Sequence, residues 1–281
     1  MKFTLGAVHG EKVDGWFHHS MTGLRAFLKK HPDALDLDDE VQVRSGPLLS
    51  AGRGALAAAF LENTNGEALI MLDSDMVFEP QMLIEFAQTF EKVRAEHENV
   101  GMLGALAFIS NNARLHSPMP NIWMPDPKIP ERLYHQSTFP KNSLLEIGAT
   151  GGACLIIHRD VFTAIKRHWF HHIPALQWQL LAQDIAKMDD PKEIEPMIRG
   201  AVWDADQLGE DMSFCIRARA HGFRIMLHTG IVFDHAKSTL LGMEEYDRAV
   251  EAHRVADIAR AEAIRLETHD DEEEPPEAIA V

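Results

Sequence analysis

The sequence predicts an α/β protein, in which short apolar strands alternate with helices that carry one apolar face. Apolar runs at residues 3–8, 68–72 and 99–109 have the length and composition of buried strands. Between them, apolar residues recur at helical spacing over residues 17–28 and 82–93. Strands and helices that alternate in this way favour a sheet covered by helices.

The composition is that of an ordinary globular protein, with 281 residues of which 46% are hydrophobic and 25% are charged. The formal net charge is −16, and residues 267–281 contain seven acids and no Lys or Arg. Without those seven charges the rest of the chain still carries about −9. An acidic surface argues against direct nucleic-acid binding through phosphate contacts. An anionic nucleotide substrate would therefore need a local cation.

Cysteine usage and hydropathy predict a cytoplasmic protein without a membrane span. Cys154 and Cys215 lie in apolar surroundings and are expected to be buried thiols rather than a disulfide framework. The first ten residues are too short and too soon polar for a signal peptide. No run of about twenty apolar residues predicts a membrane helix.

The first third of the chain is expected to hold two strands and a closely packed helix. The first strand, at residues 3–8, ends at His9, and a second is expected at 41–43. Small residues at 55–61 predict a helix that packs closely on a sheet. Arg53 lies at the start of this predicted helix, where a cation and free backbone N–H groups favour a phosphate. An ordinary surface position for Arg53 is the alternative.

The central strand, at residues 68–72, ends in Asp73-Ser74-Asp75. Alternate side chains of a strand point the same way, so Asp73 and Asp75 can project on one side. Two carboxylates in one place repel each other, and a hard divalent cation is their natural partner. Ligands of open α/β sheets collect at the carboxyl ends of strands. Asp residues also form turns and cap helices, so this motif alone is weak evidence for a metal site.

The second half of the chain has two glycine-rich or acidic motifs before its last strands. Gly151-Gly152 precedes a buried strand at 153–157, where glycines bring backbone close to a neighbour or mark a bulge. Glu210-Asp211 opens a helix. These acids are candidates for a functional site, or they only cap the helix, because acids are stabilised at a helix N-terminus. Two short strands are expected at 223–227 and 231–233. His235 follows them and is structural unless the chain brings it to Asp75.

Together these motifs resemble the GT-A family of nucleotide-sugar glycosyltransferases, and family 2 in particular. The resemblance covers about residues 3–238 and rests on the order of Asp73-Ser74-Asp75, Gly151-Gly152, Glu210-Asp211 and His235. Arg53 resembles the family's basic residue near the nucleotide, although a glycine follows it where an asparagine is more usual.

The resemblance implies a GT-A type, Rossmann-like fold, with a mixed, mainly parallel sheet flanked by helices. Residues 1–240 would form the catalytic domain. Its proline-rich segment at 111–145, where prolines are expected to break regular structure, and the segment at 165–200 would be insertions on the acceptor side. A C-terminal helix at 241–266 would pack on the domain or on a second subunit, which makes a homo-oligomer one expected assembly. The acidic tail at 267–281 has too few apolar residues to fold.

The resemblance also implies a metal-dependent mechanism. Mn²⁺ or Mg²⁺ would bind Asp75 and His235, while Asp73 would contact the metal, through water, or the ribose. A ligand set of imidazole and carboxylate is more typical of Mn²⁺ than of Mg²⁺. Asp211 would be the general base, and Glu210 would shape the acceptor site.

Under the resemblance, the donor would be a nucleotide-diphosphate sugar, with a UDP-sugar favoured, and the anomeric configuration would invert. A retaining enzyme, a nucleotidyltransferase on a similar sheet and a non-catalytic nucleotide-sugar-binding protein are the alternatives. The acceptor is not identified. The residues expected to bind substrate are Val8, His9, Arg53, Ser74, Gly151, Gly152 and Trp203.

Overall fold

A computed structural model describes residues 1–11, 13–46, 48–109, 118–127, 133–172, 209–236, 240–244, 246–248, 250–251 and 254. Trp203, the larger part of the predicted insertion at 165–200 and the tail at 267–281 lie outside the described residues. None of the described helices is long and apolar enough to cross a membrane.

The described elements alternate along the chain as expected for an α/β protein. The strands are β1 (Phe3–His9), β2 (Leu37–Arg44), β3 (Ala68–Asp73), β4 (Met76–Val77), β5 (Val100–Ile109), β6 (Met119–Pro120), β7 (Trp123–Pro125), β8 (Leu133–His135), β9 (Leu144–Ile147), β10 (Cys154–His158), β11 (Arg224–Ala236) and β12 (Leu240–Leu241). The α-helices are α1 (Gly15–Lys30), α2 (Leu49–Asn63), α3 (Pro80–Glu96), α4 (Arg159–Ile165) and α5 (Glu210–Ala220).

The main sheet has the strand order β12-β11-β5-β10-β3-β1-β2. β1 pairs in parallel with both β2 and β3, and β11 pairs in parallel with β5. β10 lies antiparallel between β3 and β5. Strands β2, β1, β3, β5 and β11 therefore run in one direction, which confirms the predicted mixed, mainly parallel sheet. Their carboxyl ends lie at the same edge of the sheet.

Both faces of the sheet are covered by helices. Along β3, Ala68, Ile70 and Leu72 belong to the core on the side of α1 and α3, whereas Leu69 and Met71 belong to the core on the side of α2, α4 and α5. This alternation follows from the two-residue period of a strand. The predicted apolar stripes of α1 and α3 face the sheet, so the helices at these positions are confirmed.

Two predicted boundaries near the site are wrong. Helix α2 begins at Leu49, six residues before the predicted start, so Arg53 lies inside the helix and not at its N-terminus. The two strands expected at 223–227 and 231–233 are one strand, β11, whose pairing with β5 shifts register between His228 and Val232. The strand continues through this local irregularity, although the residues there resemble those of a turn.

The proline-rich segment contains regular structure where it is described, contrary to expectation. β6 pairs with β5, and β7 pairs with β8. Prolines are tolerated because these strands are only two or three residues long, and Pro120 and Pro125 end them. The buried side chain of Asn121 fixes the segment to β5, since it accepts from Ala107 N–H and donates to the Ala105 carbonyl.

The start of the predicted C-terminal helix is partly described. Residues 243–244, 246–248 and 250–251 are helical. The ring of Tyr246 stacks on Phe108, with ring centroids 4.9 Å apart, and Lys141 forms an ion pair with Asp247 at 2.9 Å. These contacts hold the beginning of this helix against β5 and the proline-rich segment.

Candidate active site

A pocket of about 500 Å³ opens at the carboxyl ends of β1 and β3. Its volume lies within the range of about 300–1,000 Å³ that is usual for small-molecule sites. Asp73, Ser74 and Asp75 form one wall, and Val8 and His9 at the end of β1 form another. The described lining also includes Gly10, Val13, Asp14, Gly15 and Leu49. Asp14 caps helix α1, because its carboxylate accepts the N–H of Trp16 at 2.8 Å.

The short strand β4 brings His235 to Asp75, although 160 residues separate them in the chain. β4 pairs antiparallel with the end of β11, so that Met76 lies opposite His235. The N–H of Ala236 donates to the carbonyl of Asp75 at 2.8 Å. As a result, Nε2 of His235 lies 3.0 Å from Oδ2 of Asp75.

The second ring nitrogen of His235 contacts a backbone carbonyl. Nδ1 lies 3.1 Å from the carbonyl oxygen of Phe108. A carbonyl only accepts, so Nδ1 carries a proton and donates. In a neutral imidazole, Nε2 then presents a lone pair towards a carboxylate oxygen. A cation bound at this place would contact both the imidazole nitrogen and the carboxylate oxygen, which lie 3.0 Å apart.

Asp73 is held by a different partner. Nη2 of Arg53 donates to both carboxylate oxygens of Asp73, at 2.9 and 2.7 Å. Nη1 of the same guanidinium donates to Oε1 of Glu210 at 2.7 Å. The Arg53 side chain is only 2% exposed. Of the two alternatives for Arg53, the surface position is therefore wrong.

Asp211 is fixed by backbone amides. One carboxylate oxygen accepts the N–H of Gly152 at 3.0 Å, and the other accepts the N–H of Met212 at 2.7 Å. The Gly151-Gly152 turn thus contacts the start of α5, as expected of glycines that bring backbone close to a neighbour. Helix α5 ends at Ala220, and Gly222, two residues further on, has a φ of +83°, which suits only glycine well.

The electrostatics of the site are dominated by acids. Asp73, Asp75, Glu210 and Asp211 are four carboxylates, and the guanidinium of Arg53 contacts two of them. Burial raises the pKa of Asp73, and the guanidinium of Arg53 opposes this shift. Burial acts to lower the pKa of Arg53, but the carboxylates around it bring that pKa above its ordinary value. The surplus of negative charge favours a bound cation.

The donor set fits a divalent metal ion that is shared with a ligand. Among the described residues, no group of three or more His, Cys, Asp or Glu side chains is arranged to hold a metal ion. Mg²⁺ bound to nucleotides is usually held by one or two carboxylates together with the phosphates, and not by a closed protein cage. Asp75 and His235 would supply such a two-residue set. The Nδ1 contact of His235 with a backbone carbonyl is the usual outer contact of a metal-bound imidazole.

The structure brings together most of the predicted site residues. Val8, His9, Asp73, Ser74 and Asp75 line the pocket. A second group, Arg53, Gly152, Glu210 and Asp211, is joined by hydrogen bonds and extends from Asp73. Gly151 is adjacent to this second group, and Trp203 lies outside the described residues.

The histidines of α1 do not belong to the described site. His18 and His19 are exposed, and Ser20 is buried, where its hydroxyl accepts the N–H of Phe78 at 3.0 Å. Sequence reasoning missed Asp14, Val13 and Leu49 as pocket residues. The sequence did contain a signal for the position of Asp14 at the start of α1, because an Asp immediately before a helical apolar pattern predicts an N-cap.

No family model matches the sequence, and no curated protein matches it. Among solved structures, A197 from STIV is 16% identical with a TM-score of 0.44, and the match covers 83% of this chain and 85% of that one.

Two further solved structures resemble the chain at similar levels. GalNAc-T7 with UDP, GalNAc and Mn²⁺ is 12% identical with a TM-score of 0.44, over 88% of this chain and 47% of that one. An apo UDP-glucose pyrophosphorylase is 11% identical with a TM-score of 0.34, over 90% of this chain and 82% of that one. At these identities and TM-scores, the likenesses do not assign the chain to any of these families.

Proposed function

We propose that the protein is a glycosyltransferase that moves a sugar, with inversion, from a nucleoside diphosphate sugar to an acceptor hydroxyl. The observation that carries this proposal is the contact between Asp75 and His235 at 3.0 Å, next to a pocket at the carboxyl ends of parallel strands. The contact joins the two residues that the family resemblance makes metal ligands. It was not implied by their positions in the sequence.

The charge of the pocket supports a metal-dependent donor site. Its described lining includes Asp14, Asp73 and Asp75 but no Lys or Arg. A diphosphate would meet only negative charge there unless a cation accompanied it. Mn²⁺ or Mg²⁺ held by Asp75 and His235 would neutralise the diphosphate and act as a Lewis acid towards it as a leaving group.

The acceptor side is assigned to Asp211 and Glu210. Asp211 is the general base, and a carboxylate oxygen of Asp211 takes the proton from the acceptor hydroxyl. Its hydrogen bonds with the N–H groups of Gly152 and Met212 orient the carboxylate. Glu210 shapes the acceptor side and contacts Arg53.

A thermal-shift panel of nucleotide sugars, with and without Mn²⁺, tests the proposal. A ligand that binds only the folded protein stabilises it by about 2.7 kcal/mol at a hundred times its dissociation constant. We expect a UDP-sugar to raise the melting temperature only when Mn²⁺ is present. Isothermal calorimetry with UDP then gives the affinity, and Asp75→Asn is the matched variant that should abolish metal-dependent binding.

Two outcomes would overturn the proposal. In one, no nucleotide sugar or nucleoside diphosphate stabilises the protein at any Mn²⁺ concentration. In the other, a nucleoside triphosphate and a sugar phosphate react to release pyrophosphate, which would make the protein a nucleotidyltransferase.

A further inference from the structure

The guanidinium of Arg53 connects two parts of the site that are far apart in the sequence. It bonds to Asp73 at the end of β3, 20 residues away, and to Glu210 at the start of α5, 157 residues away. Because a guanidinium is planar and rigid, two carboxylates bound to its two terminal nitrogens are held at a set separation. Arg53 therefore spans the donor wall of the pocket and the helix that carries Asp211.

Gly152 leaves the space that the guanidinium occupies. A Cβ on Gly152 would lie 2.4 Å from Cζ of Arg53, and 2.5 and 2.6 Å from its two terminal nitrogens. Such distances are much shorter than ordinary contacts between non-bonded atoms. A Cβ on the neighbouring Gly151 would meet nothing closer than 3.6 Å. The requirement for glycine is thus specific to position 152, and Arg53 is the reason for it.

Gly152 also contacts the predicted base. Its N–H donates to Asp211, so a single residue touches Arg53 on one side and Asp211 on the other. The Nε of Arg53 is buried and has no hydrogen-bond partner among the described residues. The hydrogen bonds of the guanidinium are therefore made by its terminal nitrogens, which reach Asp73 and Glu210.

We propose that Arg53 is a positioning residue that sets the distance between the donor and acceptor sides of the site, and that Gly152 is glycine to admit it. This inference rests on the proposed function, since it assigns Asp73 to the donor side and Glu210-Asp211 to the acceptor side. Arg53 acts through Asp73 and Glu210. Its loss should therefore lower turnover more than donor affinity, because Asp75 and His235 do not depend on it.

The decisive variant is Gly152→Ala, with Gly54→Ala as its control. A Cβ at Gly54, next to Arg53 in α2, would meet nothing within 4 Å. In Gly152→Ala the guanidinium must move, and since it ends a flexible side chain the protein should still fold. A displacement of about 1 Å costs roughly 10²-fold in rate, so we expect turnover to fall by about that factor. UDP–Mn²⁺ affinity should change by less than about threefold, and Gly54→Ala should keep full turnover.

A double-mutant cycle shows whether Gly152 acts through Arg53. Lysine lacks the planar fork, so Arg53→Lys removes the group with which the new methyl collides. If the two residues are coupled, Gly152→Ala should lower turnover at least about tenfold less in the Arg53→Lys background than in the wild type. A purely structural role for Gly152 would give additive effects.

The inference is overturned if Gly152→Ala keeps turnover within threefold of Gly54→Ala, or if the cycle is additive. Failure of the proposed function has a different signature, namely no metal-dependent nucleotide binding by the wild-type protein. In that case the same cycle is measured on the unfolding equilibrium in urea. Additivity there also overturns the coupling of Gly152 and Arg53, and non-additivity supports it.

Discussion

Asp73 and Asp75 stand two residues apart at one strand end, yet their surroundings differ. The side chain of Asp73 is 19% exposed and contacts a buried arginine, which also holds Glu210. The side chain of Asp75 is 31% exposed and contacts the imidazole of His235. One aspartate is paired with a permanent cation, and the other with a group whose charge depends on protonation or on a bound metal.

This difference separates structural and functional roles within a single motif. Asp73 has a permanent cation, Arg53, as its partner, and it shares this cation with Glu210. Asp75 contacts an imidazole, whose charge depends on protonation or on a bound metal, and in the proposed function this contact holds the metal. An Asp-x-Asp motif therefore need not supply two equivalent ligands.

The largest effect on stability is expected when Arg53 is removed. Arg53→Met leaves the partly buried Asp73 and Glu210 without their cation, and breaking a buried pair in this way costs at most about 3–5 kcal/mol. His235→Gln, which can still hydrogen-bond to its neighbours, should cost only about 1 kcal/mol or less. Urea unfolding measures both, and Arg25→Met at an exposed pair with Glu40 serves as the surface control. Equal losses for Arg53 and His235 would contradict the distinction drawn between the two aspartates.

The next largest effect concerns Asp211. Asp211→Asn removes the general base, so turnover should fall by at least about 10²-fold while UDP–Mn²⁺ affinity is kept. Asn has one acceptor oxygen, whereas both oxygens of Asp211 accept backbone N–H groups, so the variant should lose about 1–2 kcal/mol of stability. Donor affinity and turnover are measured under conditions in which both proteins are fully folded. A parallel loss of donor affinity would place Asp211 on the donor side instead.

A smaller effect should distinguish the metal ions. His235→Gln removes an imidazole, which suits Mn²⁺ better than Mg²⁺, so Mn²⁺-dependent UDP binding should weaken by about tenfold and Mg²⁺-dependent binding by less. Isothermal calorimetry with each ion measures the two losses. His18→Gln, at an exposed position on α1, is the control and should change neither. Equal losses for both ions would argue against imidazole as a ligand.

The smallest effect concerns a buried group that remains uncharged in the folded protein. Burial raises the pKa of the Cys215 thiol from 9.0 to about 12. The unfolded chain ionises this thiol at lower pH than the folded protein does, so its contribution to stability is complete below pH 9 and is lost as the pH rises towards 12.

Between pH 8 and 10, Cys215→Ala should therefore lose about 1 kcal/mol less stability than the wild type. Urea unfolding at both pH values, with a reductant present, measures the difference. Cys154, whose pKa burial also raises, remains in both proteins as an internal reference. An identical pH dependence in the two proteins would show that Cys215 ionises equally in the folded and unfolded states.

Local sequence patterns were sufficient to predict the main elements of the fold. The runs at 3–8 and 68–72 form β1 and β3 because their residues are apolar on both faces of a strand. Pro80 begins α3 because its fixed φ suits the first turn of a helix. The sequence by itself also indicated which acids lie at strand and helix ends, since Asp73-Ser74-Asp75 and Glu210-Asp211 directly adjoin apolar patterns.

Only the tertiary structure decided the partners of those acids. The contact of His235 with Asp75 depends on the pairing of β4 with β11, and β4 is too short to be recognised from its sequence. The burial of Arg53 depends on where α2 begins and on the absence of a side chain at Gly152, which leaves room for the guanidinium. Helix and strand patterns arise from neighbours along the chain, whereas ion pairs and metal donors arise from packing between distant segments. For that reason the sequence determined the kinds of residue in this site, and the fold determined which of them face one another.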